Sequence, residues 1–300
     1  MDIFSILKEL QILPTEDALT EIEKLSQEEK TELCRKLMEE KPVFLDGDFV
    51  KSVKKPKIEV MEFSSYQKEV TIEEFIEILN EYFDFLSERV KRKMNPLRLA
   101  SISSLKDNEY YGVIGMVKSV KQKEHSFLLE IEDKTGSVKI NVNRDFFPED
   151  KPLINDVVGV EGIYRGKVIE AEKIIYPEVE VSGTPPFEKE TVLYARNDDS
   201  FLRIVINGKF WSVAQPAIFR IDGIEVLVFP NKGVHPVSIL KRRNLQPGRV
   251  NLSLLLRSSP HLVITQFSPS LREEFNGVKI FGLRSKEEVR IKLKTLEEVL

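Results

Sequence analysis

The spacing of apolar residues near the start of the chain is typical of helices. Ile3 and Leu7 begin a pattern in which an apolar residue recurs every three or four positions, is interrupted once and then resumes. Ser26 followed by Glu29 has the form of a capping box, in which each side chain bonds to the other residue's backbone at the first turn of a helix. The pattern predicts a small helical module over residues 1–42.

The helical pattern is lost and then returns before the middle of the chain. Residues 43–70 have poor periodicity and include Pro56, so we predict a linker there. Thr71 and Glu74 form a second capping box, after which one apolar stripe runs to a basic end. This predicts a helix over residues 71–94 that leads into the next domain. Its apolar face either packs on that domain, which is the commoner use, or binds a partner.

From Tyr110 onward the apolar residues follow the period of strands. Glycines such as Gly159 and Gly162 lie within these segments, and glycine permits the sharp bends and close approaches of a small closed barrel. We therefore predict an OB-fold β-barrel over residues 95–178. Its five strand patterns lie at residues 111–120, 126–131, 137–142, 157–164 and 168–175.

The last third of the chain contains short apolar segments rich in β-branched residues, after a second predicted linker at residues 179–190. Residues 237–243 are predicted to form a helix between these segments, and residues 293–300 a terminal helix. Apolar strands that alternate with connections favour a packed α/β or sandwich domain over residues 191–300. The chain as a whole is expected to be an α+β multidomain protein.

The composition is that of a globular protein. Its 300 residues are 41% hydrophobic, which leaves room for two or three domains with cores of their own. The single cysteine, Cys34, excludes an internal disulfide and a cysteine zinc site. The sequence has no run of about 18 apolar residues and no signal-peptide pattern. We therefore expect an intracellular, cytoplasmic protein without a membrane partner.

The net charge of −4 conceals an uneven distribution along the chain. Residues 1–50 hold 6 Lys and Arg against 13 Asp and Glu, whereas residues 241–300 hold 12 against 6. Such a split permits a basic face for nucleic acid or for an acidic partner. An ordinary solvated surface explains the same numbers equally well.

The predicted barrel offers candidate contacts for single-stranded nucleic acid. OB barrels often bind strands through aromatic platforms and basic grooves, although many are structural. A basic segment near the end of the chain could also bind nucleic acid, line an interface or brace the fold. The candidates are Tyr111, Phe127, Lys118, Lys121, Lys123 and Lys139 on the barrel, and Lys241, Arg242 and Arg243 in the basic segment.

Several segments occur in an order that resembles one protein family. They are Val113–Val117, Leu129–Gly136, Val157–Gly162, Ala171–Pro177 and Leu240–Pro247. Over residues 70–300 the chain resembles the small subunit of the archaeal family D DNA polymerase and, through it, the B subunits of eukaryotic replicative polymerases. The shared order is more specific than any one motif. The resemblance implies an OB-fold, a calcineurin-like phosphoesterase domain of the α/β sandwich type, and a polymerase subunit as partner.

The same resemblance fails at the positions where phosphoesterases of this kind bind two metal ions. Intact members are expected to carry Asp-x-His and Gly-Asp motifs, then a Gly-Asn-His-Asp motif and a final Gly-His-x-His motif. The first two are absent, as if the block before Tyr194 were deleted, which implies a shortened domain. Asn197 and Asp199 keep the family residue. The replaced positions are Arg196, Asp198, Pro230, Gln266, Phe267 and Pro269, while Ser268 occupies the variable position of the last motif.

The histidines of the chain argue against a two-metal site. They are His125, His235 and His261, on separate segments, whereas such a site needs several imidazoles that converge with carboxylates. We therefore predict no catalytic residue, no metal and no cofactor. As an alternative, oxygen atoms of residues 197–199 could hold one Mg²⁺, although a cluster of Asn and Asp is usually a turn.

These observations support one leading hypothesis and two alternatives. The leading hypothesis is a non-catalytic accessory subunit, a platform for a polymerase catalytic subunit or another replication protein, with DNA contact through the barrel as an option. The first alternative is a residual metal-dependent 3′–5′ exonuclease or phosphodiesterase. The second is a single-stranded DNA-binding protein.

Overall fold

The computed structural model describes residues 3–54, 56–63, 70–147, 151–181, 183, 191–230 and 233–299. It is a mixed α+β protein, with helices at the N-terminal end, a closed five-stranded barrel and two further large sheets. The predicted α+β class is confirmed at this level. Within the described residues, no helix is long and apolar enough to cross a membrane.

The N-terminal module is held by a core of its own. Ser26 and Glu29 form the predicted capping box, and buried residues such as Leu33 and Leu37 face the other helices of the module. A two-stranded parallel ladder, in which Leu13 lies opposite Phe44, joins its two halves. Its elements are α1 (Ile3–Glu9), β1 (Leu13–Pro14), α2 (Glu16–Glu23), α3 (Gln27–Glu40), β2 (Phe44–Leu45) and α4 (Gly47–Lys51).

After a strand β3 (Ile58–Glu62), the long helix α5 (Ile72–Lys91) begins at the second predicted capping box, formed by Thr71 and Glu74. The C-terminal half of α5 packs on the barrel through buried residues such as Tyr82 and Leu86. At the α5 end of the barrel, a Cβ on Gly159 would lie 2.6 Å from the Val90 side chain, so glycine permits the close approach of helix and strand.

The barrel has the strand order β4-β5-β6-β8-β7 and closes through β4 and β7. All neighbouring pairs are antiparallel except β6 and β8, which are parallel. This arrangement is that of the five-stranded OB barrel, which confirms the predicted fold of this region. The strands are β4 (Glu109–Gln122), β5 (Ser126–Asp133), β6 (Gly136–Asn143), β7 (Val157–Arg165) and β8 (Val168–Ile175).

The last region consists of two sheets packed face to face. We call the sheet with order β11-β10-β9-β17-β18 the outer sheet, and that with order β15-β16-β14-β13-β12-β3 the inner sheet. Between them lies a core that includes Ile204 from the outer sheet and Phe219 and Ile264 from the inner sheet. The strands are β9 (Val192–Asn197), β10 (Leu202–Ile206), β11 (Lys209–Val213), β12 (Ala217–Ile221), β13 (Ile224–Phe229), β14 (Leu262–Gln266), β15 (Leu271–Phe275), β16 (Val278–Leu283), β17 (Glu288–Lys292) and β18 (Glu297–Glu298).

The opposite face of the inner sheet is covered by helix α6 (Pro236–Arg242), close to the helix predicted there. Ile239 and Leu240 of α6 pack with Ile218 of the sheet in a second core. The predicted terminal helix at residues 293–300 is wrong. That segment turns back and pairs as β18 with β17, because Leu293 and Leu296 are drawn into the core between the sheets.

The structure differs from the predicted linker at residues 43–70. This segment contains β2, α4 and β3, and β3 pairs antiparallel with β12 so that Val60 lies opposite Phe219. The local pattern gave no sign of this strand because its pairing partner is more than 150 residues away and its side chains are mostly exposed. Residues 64–69 of the predicted linker lie outside the described residues.

The second predicted linker, residues 179–190, begins in contact with the inner sheet region. Val179 is buried, and its N–H donates to the carbonyl of Leu240, while that of Val181 donates to Asn276. Residues 184–190 lie outside the described residues.

Candidate functional site

Residues from the two motif segments singled out in the sequence, 194–199 and 265–269, meet where three strands end. Asn197 closes β9, and its buried side chain donates to the carbonyl of Leu283, the last residue of β16, at 2.8 Å. Its Oδ1 accepts from Nε2 of Gln266, the last residue of β14, at 2.9 Å, and from the N–H of Asp199 at 2.9 Å. The structure thus brings together Asn197, Asp199 and Gln266, which the sequence separates by almost seventy residues.

This amide pair links the two sheets without any ion. Gln266 is buried, and its Nε2 donates both to Asn197 and to the carbonyl of Asp199, at 3.2 Å. An amide oxygen has two lone pairs, and both lone pairs of Asn197 Oδ1 are engaged by N–H donors. The Asn197 side chain is therefore committed to hydrogen bonds within the protein.

The carboxylate next to it faces two arginines. Asp198 Oδ1 lies 3.0 Å from Nε of Arg196, and its Oδ2 lies 3.1 Å from Nε of Arg203. A hydrogen bond with Tyr194, followed by the charge of Asp198, raises the pKa of Arg196. Arg196 and Asp198 thus pair with each other on the outer sheet. The charge that could have attracted a cation is already neutralised by guanidinium groups.

Aromatic and proline side chains occupy the remaining altered positions. Phe267 meets the ring of His235 edge to face, with centroids 5.1 Å apart. His235 caps the start of α6, where its Nδ1 accepts from the N–H of Val237 at 3.4 Å. Pro230, half-buried, follows β13, and Pro269 is exposed after a cis peptide bond. None of these groups is a metal ligand apart from the imidazole.

The three histidines do not converge. His261 accepts the N–H of Glu225 at 3.0 Å, and burial lowers its pKa, while His125 is exposed in the hairpin between β4 and β5. Among the described residues, no group of three or more His, Cys, Asp or Glu side chains could hold a metal ion. The amide oxygen of Asn197 accepts two hydrogen bonds, and the carboxylate of Asp198 is paired with two arginines. This donor set therefore does not fit the metal pair of a phosphoesterase.

The barrel candidates do not form an aromatic platform. Phe127 is 3% exposed and packs inside the barrel against Phe147, with ring centroids 5.6 Å apart, so it is not available to a base. The hydroxyl of Tyr111 accepts from the N–H of Lys106 at 3.2 Å and donates to Glu109.

The lysine candidates on the barrel are surface residues among carboxylates. Lys118 pairs with Glu132 at 3.1 Å, and Lys139 lies opposite Glu130 in the β5–β6 ladder. The remaining candidates, Lys121 and Lys123, are exposed near the end of β4. This strand face therefore carries balanced charge rather than a basic groove.

Arg242 lies inside the protein rather than on a basic surface. Its Nε donates to both carboxylate oxygens of Asp156 at 2.9 Å, and Nη1 donates to Ser238 at 2.6 Å. Nη2 donates to the carbonyl of Lys151 at 2.9 Å. Because Asp156 and Lys151 lie just before β7, Arg242 ties α6 to the barrel.

Arg243 is a second bracing arginine. Its guanidinium donates to the carbonyls of Pro177, Leu256 and Ser258, and burial lowers its pKa to about 10. Lys241 lies with its Nζ 4.4 Å from the ring centroid of Tyr176. The structure thus places the basic segment at the junction between the barrel and the sheets. Of its predicted roles, this placement agrees with bracing of the fold.

A buried polar contact that sequence reasoning missed completes this junction. Asn244 Nδ2 donates to the hydroxyl of Tyr82 on α5 at 3.1 Å, and burial raises the pKa of that phenol. These two residues are 162 positions apart, so no local pattern signals the pair. This hydrogen bond therefore joins α5 to the segment that follows α6.

These features define a mixed α+β protein in which an OB-type barrel is joined to a two-sheet region that lacks a metal-binding donor set among its described residues. By sequence it is a distant homologue of archaeal DNA polymerase II small subunits. It is 24% identical to that of Archaeoglobus fulgidus over 131 residues, which are 43% of this chain and 26% of the relative. It is 30% identical to that of Methanothermobacter thermautotrophicus over 121 residues, 35% of this chain and 25% of the relative.

The chain thus matches about a quarter of the length of these relatives. No family model matches it. Among solved structures, the telomere capping protein Ten1 from Saccharomyces pombe aligns with a TM-score of 0.22 and 20% identity, over 26% of this chain and 77% of Ten1. A domain of replication protein A from Methanococcus maripaludis aligns with a TM-score of 0.23 and 22% identity, over 25% of this chain and 91% of that domain.

Proposed function

We propose that this protein is a non-catalytic small subunit of a DNA polymerase or a related replication complex, and that it serves as a binding platform for the catalytic subunit or another replication protein. The observation that carries the proposal is the Asn197–Gln266 amide pair at the ends of β9 and β14. It involves Asn197 of one expected metal-binding motif and Gln266, which precedes the expected histidine positions 267 and 269, in a chain that is a distant homologue of polymerase small subunits.

The proposal treats the two-sheet region as a shortened and inactivated phosphoesterase domain. Its support is positional: Asn197, which keeps the family residue, and Gln266 and Phe267, which differ from it, all lie at strand ends on one edge of the sheets, as an active site would. A fold can keep a binding surface after its catalytic residues have changed, because function resides in residues placed on a fold.

The junction around Arg242 supports a platform made of the barrel and the sheets together. Asp156 bonds to Arg242 of α6, and Tyr82 bonds to Asn244 in the segment after that helix. A partner could therefore bind across the barrel and the sheets as one surface. The division into a helical module at 1–42, a barrel at 95–178 and a sheet domain at 191–300 remains part of the proposal. So does the role of the acidic module as a site for a further partner.

The test is quantitative co-purification of the full chain from its native host, with the tag at either end in parallel preparations. We expect a DNA polymerase catalytic subunit, or another replication protein, at a near-stoichiometric level. The matched control carries Asp156→Asn, which disrupts the junction and should release a partner that spans it. Recovery of unrelated metabolic enzymes alone, with no replication protein, would refute the proposal.

A further inference from the structure

Two arginines lie over one aromatic ring where α5 meets the segment before β14, and a third lies beside them on the helix. The guanidinium carbon of Arg89 lies 3.5 Å from the ring centroid of Phe85, and that of Arg257 lies 5.3 Å from the same centroid. Arg92 is the exposed C-terminal cap of α5, three residues after Arg89, and residues at that spacing are neighbours on a helix surface. These residues come from parts of the chain about 170 positions apart, so the cluster exists only in the folded protein.

The charges of this cluster are poorly compensated. Burial is the main cause that lowers the pKa of Arg89, and the positive charges of Arg92 and Arg257 lower it further. Arg257 pairs with Glu81 at 3.1 Å, with both side chains more than half exposed, while the guanidinium of Arg89 donates to the carbonyl of Phe85 at 2.8 Å. Mutual repulsion of this kind is relieved when an anion binds among the guanidinium groups.

A groove opens beside the arginines. It has a volume of about 710 Å³ and Arg257 lies on its wall. That volume is within the range of small-molecule sites, roughly 300–1,000 Å³. Half of the lining residues are apolar, namely Met61, Phe63, Ile218, Leu252 and Leu255, and the others are Glu62, Arg220, Ser253, Arg257 and Ser258. A nucleotide that placed its phosphate on the arginines could therefore lay its base or sugar on an apolar surface.

We propose that Arg89, Arg92 and Arg257 bind the phosphodiester backbone of single-stranded DNA, and that the adjoining groove receives unpaired bases. Planar guanidinium groups match phosphate geometry, and apolar surfaces accept bases that are not stacked in a duplex. This surface is distinct from the strand face of the barrel, where Lys118 is paired with Glu132 and Phe127 is buried.

The test uses the full chain and a fluorescently labelled oligothymidylate, with affinity measured by anisotropy at about 50 and about 200 mM salt. Wild-type affinity should fall steeply with salt. The double variant Arg92→Gln/Arg257→Gln should bind at least about tenfold more weakly. The slope of log affinity against log salt should also become shallower by about 0.7 for each phosphate that the variant no longer neutralises.

The matched control is Lys121→Gln/Lys139→Gln, which removes two positive charges from the barrel. Its affinity should stay within about twofold of wild type, since distant surface charges are screened at these salt concentrations. The single variant Arg92→Gln tests the site and leaves the ion pair between Arg257 and Glu81 intact. Arg92 is exposed. Urea unfolding of each variant identifies any loss of fold.

Four results would each overturn the inference: no binding of oligothymidylate by the folded wild type, an equal loss in the barrel control, tighter binding of a duplex than of the single strand, or equally strong competition by polyglutamate. The last result would indicate an acidic protein segment as the ligand. None of them would affect the proposed subunit role, which co-purification measures separately.

Discussion

Arg242 on α6 and Asp156 before β7 form a buried ion pair, in which Nε lies 2.9 Å from each carboxylate oxygen and each residue is 3% exposed. The remaining donors of Arg242 reach Ser238 and the carbonyl of Lys151, and Asp156 also accepts the N–H of Leu153. The pair therefore joins α6 to the start of β7, beside a hydrophobic cluster that Val157 of the barrel shares with Leu255.

Replacement of Arg242 by Met should destabilise the protein strongly. Removal of one partner leaves a buried carboxylate unpaired, and such changes cost about 3–5 kcal/mol. Urea unfolding followed by circular dichroism measures the difference. Glu132→Gln, which breaks the half-exposed pair with Lys118, is the matched control and should cost less than about 1 kcal/mol. Equal effects of the two substitutions would contradict the structural role assigned to Arg242.

Replacement of Asn197 by Ala should destabilise the two-sheet region. The substitution removes a bond to Leu283 and one of the two acceptors of Gln266 Nε2, and a buried unsatisfied group costs about 1–3 kcal/mol. Gln122→Ala, on an exposed amide of β4, should change stability by no more than about 0.5 kcal/mol. An Asn197→Ala variant as stable as wild type would show that the amide pair does not hold the sheets together.

The protein should not degrade DNA in the presence of Mn²⁺. The carboxylate of Asp198 is paired with Arg196 and Arg203, and Asn197 accepts two hydrogen bonds, so neither group is available to a metal. The measurement is release of nucleotides from a 3′-labelled strand, with Asp199→Ala as the matched variant. Activity that requires Mn²⁺ and disappears in the folded Asp199→Ala variant would establish the exonuclease alternative.

His261 should make the protein less stable in mild acid. Because burial lowers its pKa in the folded state, the unfolded state binds the proton more readily. The contribution of this group is therefore present above the unfolded value, about 6.5, and is lost as the pH falls below it. Urea unfolding at about pH 7 and about pH 5 measures the effect.

The His261→Asn variant provides the comparison. Its side chain can still accept the N–H of Glu225 but does not titrate, so stability should change less between the two pH values than in wild type. An identical pH dependence in the two proteins would show that other groups account for it.

Local patterns were sufficient for much of the fold. Both capping boxes, at Ser26 and at Thr71, begin helices as predicted, and the change of period near Tyr110 marks the start of the barrel strands. These features depend on residues close together in the chain, and their physical basis is the pitch of a helix and the alternation of a strand. The absence of histidine from residues 194–199 and 265–269 was equally visible, because a side chain that lacks a ligand atom lacks it in any fold.

Pairings over long sequence distances could not be predicted in the same way. The strand β3 was assigned to a linker because its partner β12 is far away, and Phe127 looked like a base platform because alternation does not tell which face of a strand points inward. Arg242 and Arg243 were candidates for a basic surface because the charge of a side chain does not tell whether it is buried.

The sequence by itself determined the helices at the start and the barrel strands, since each follows from the chemistry of neighbouring residues. Only the tertiary structure decided that Asn197 bonds Gln266, that Arg242 meets Asp156, and that Arg89 and Arg257 share the ring of Phe85. Those contacts depend on which distant segments pack together, and burial then determines whether a charged side chain braces the fold or faces a ligand.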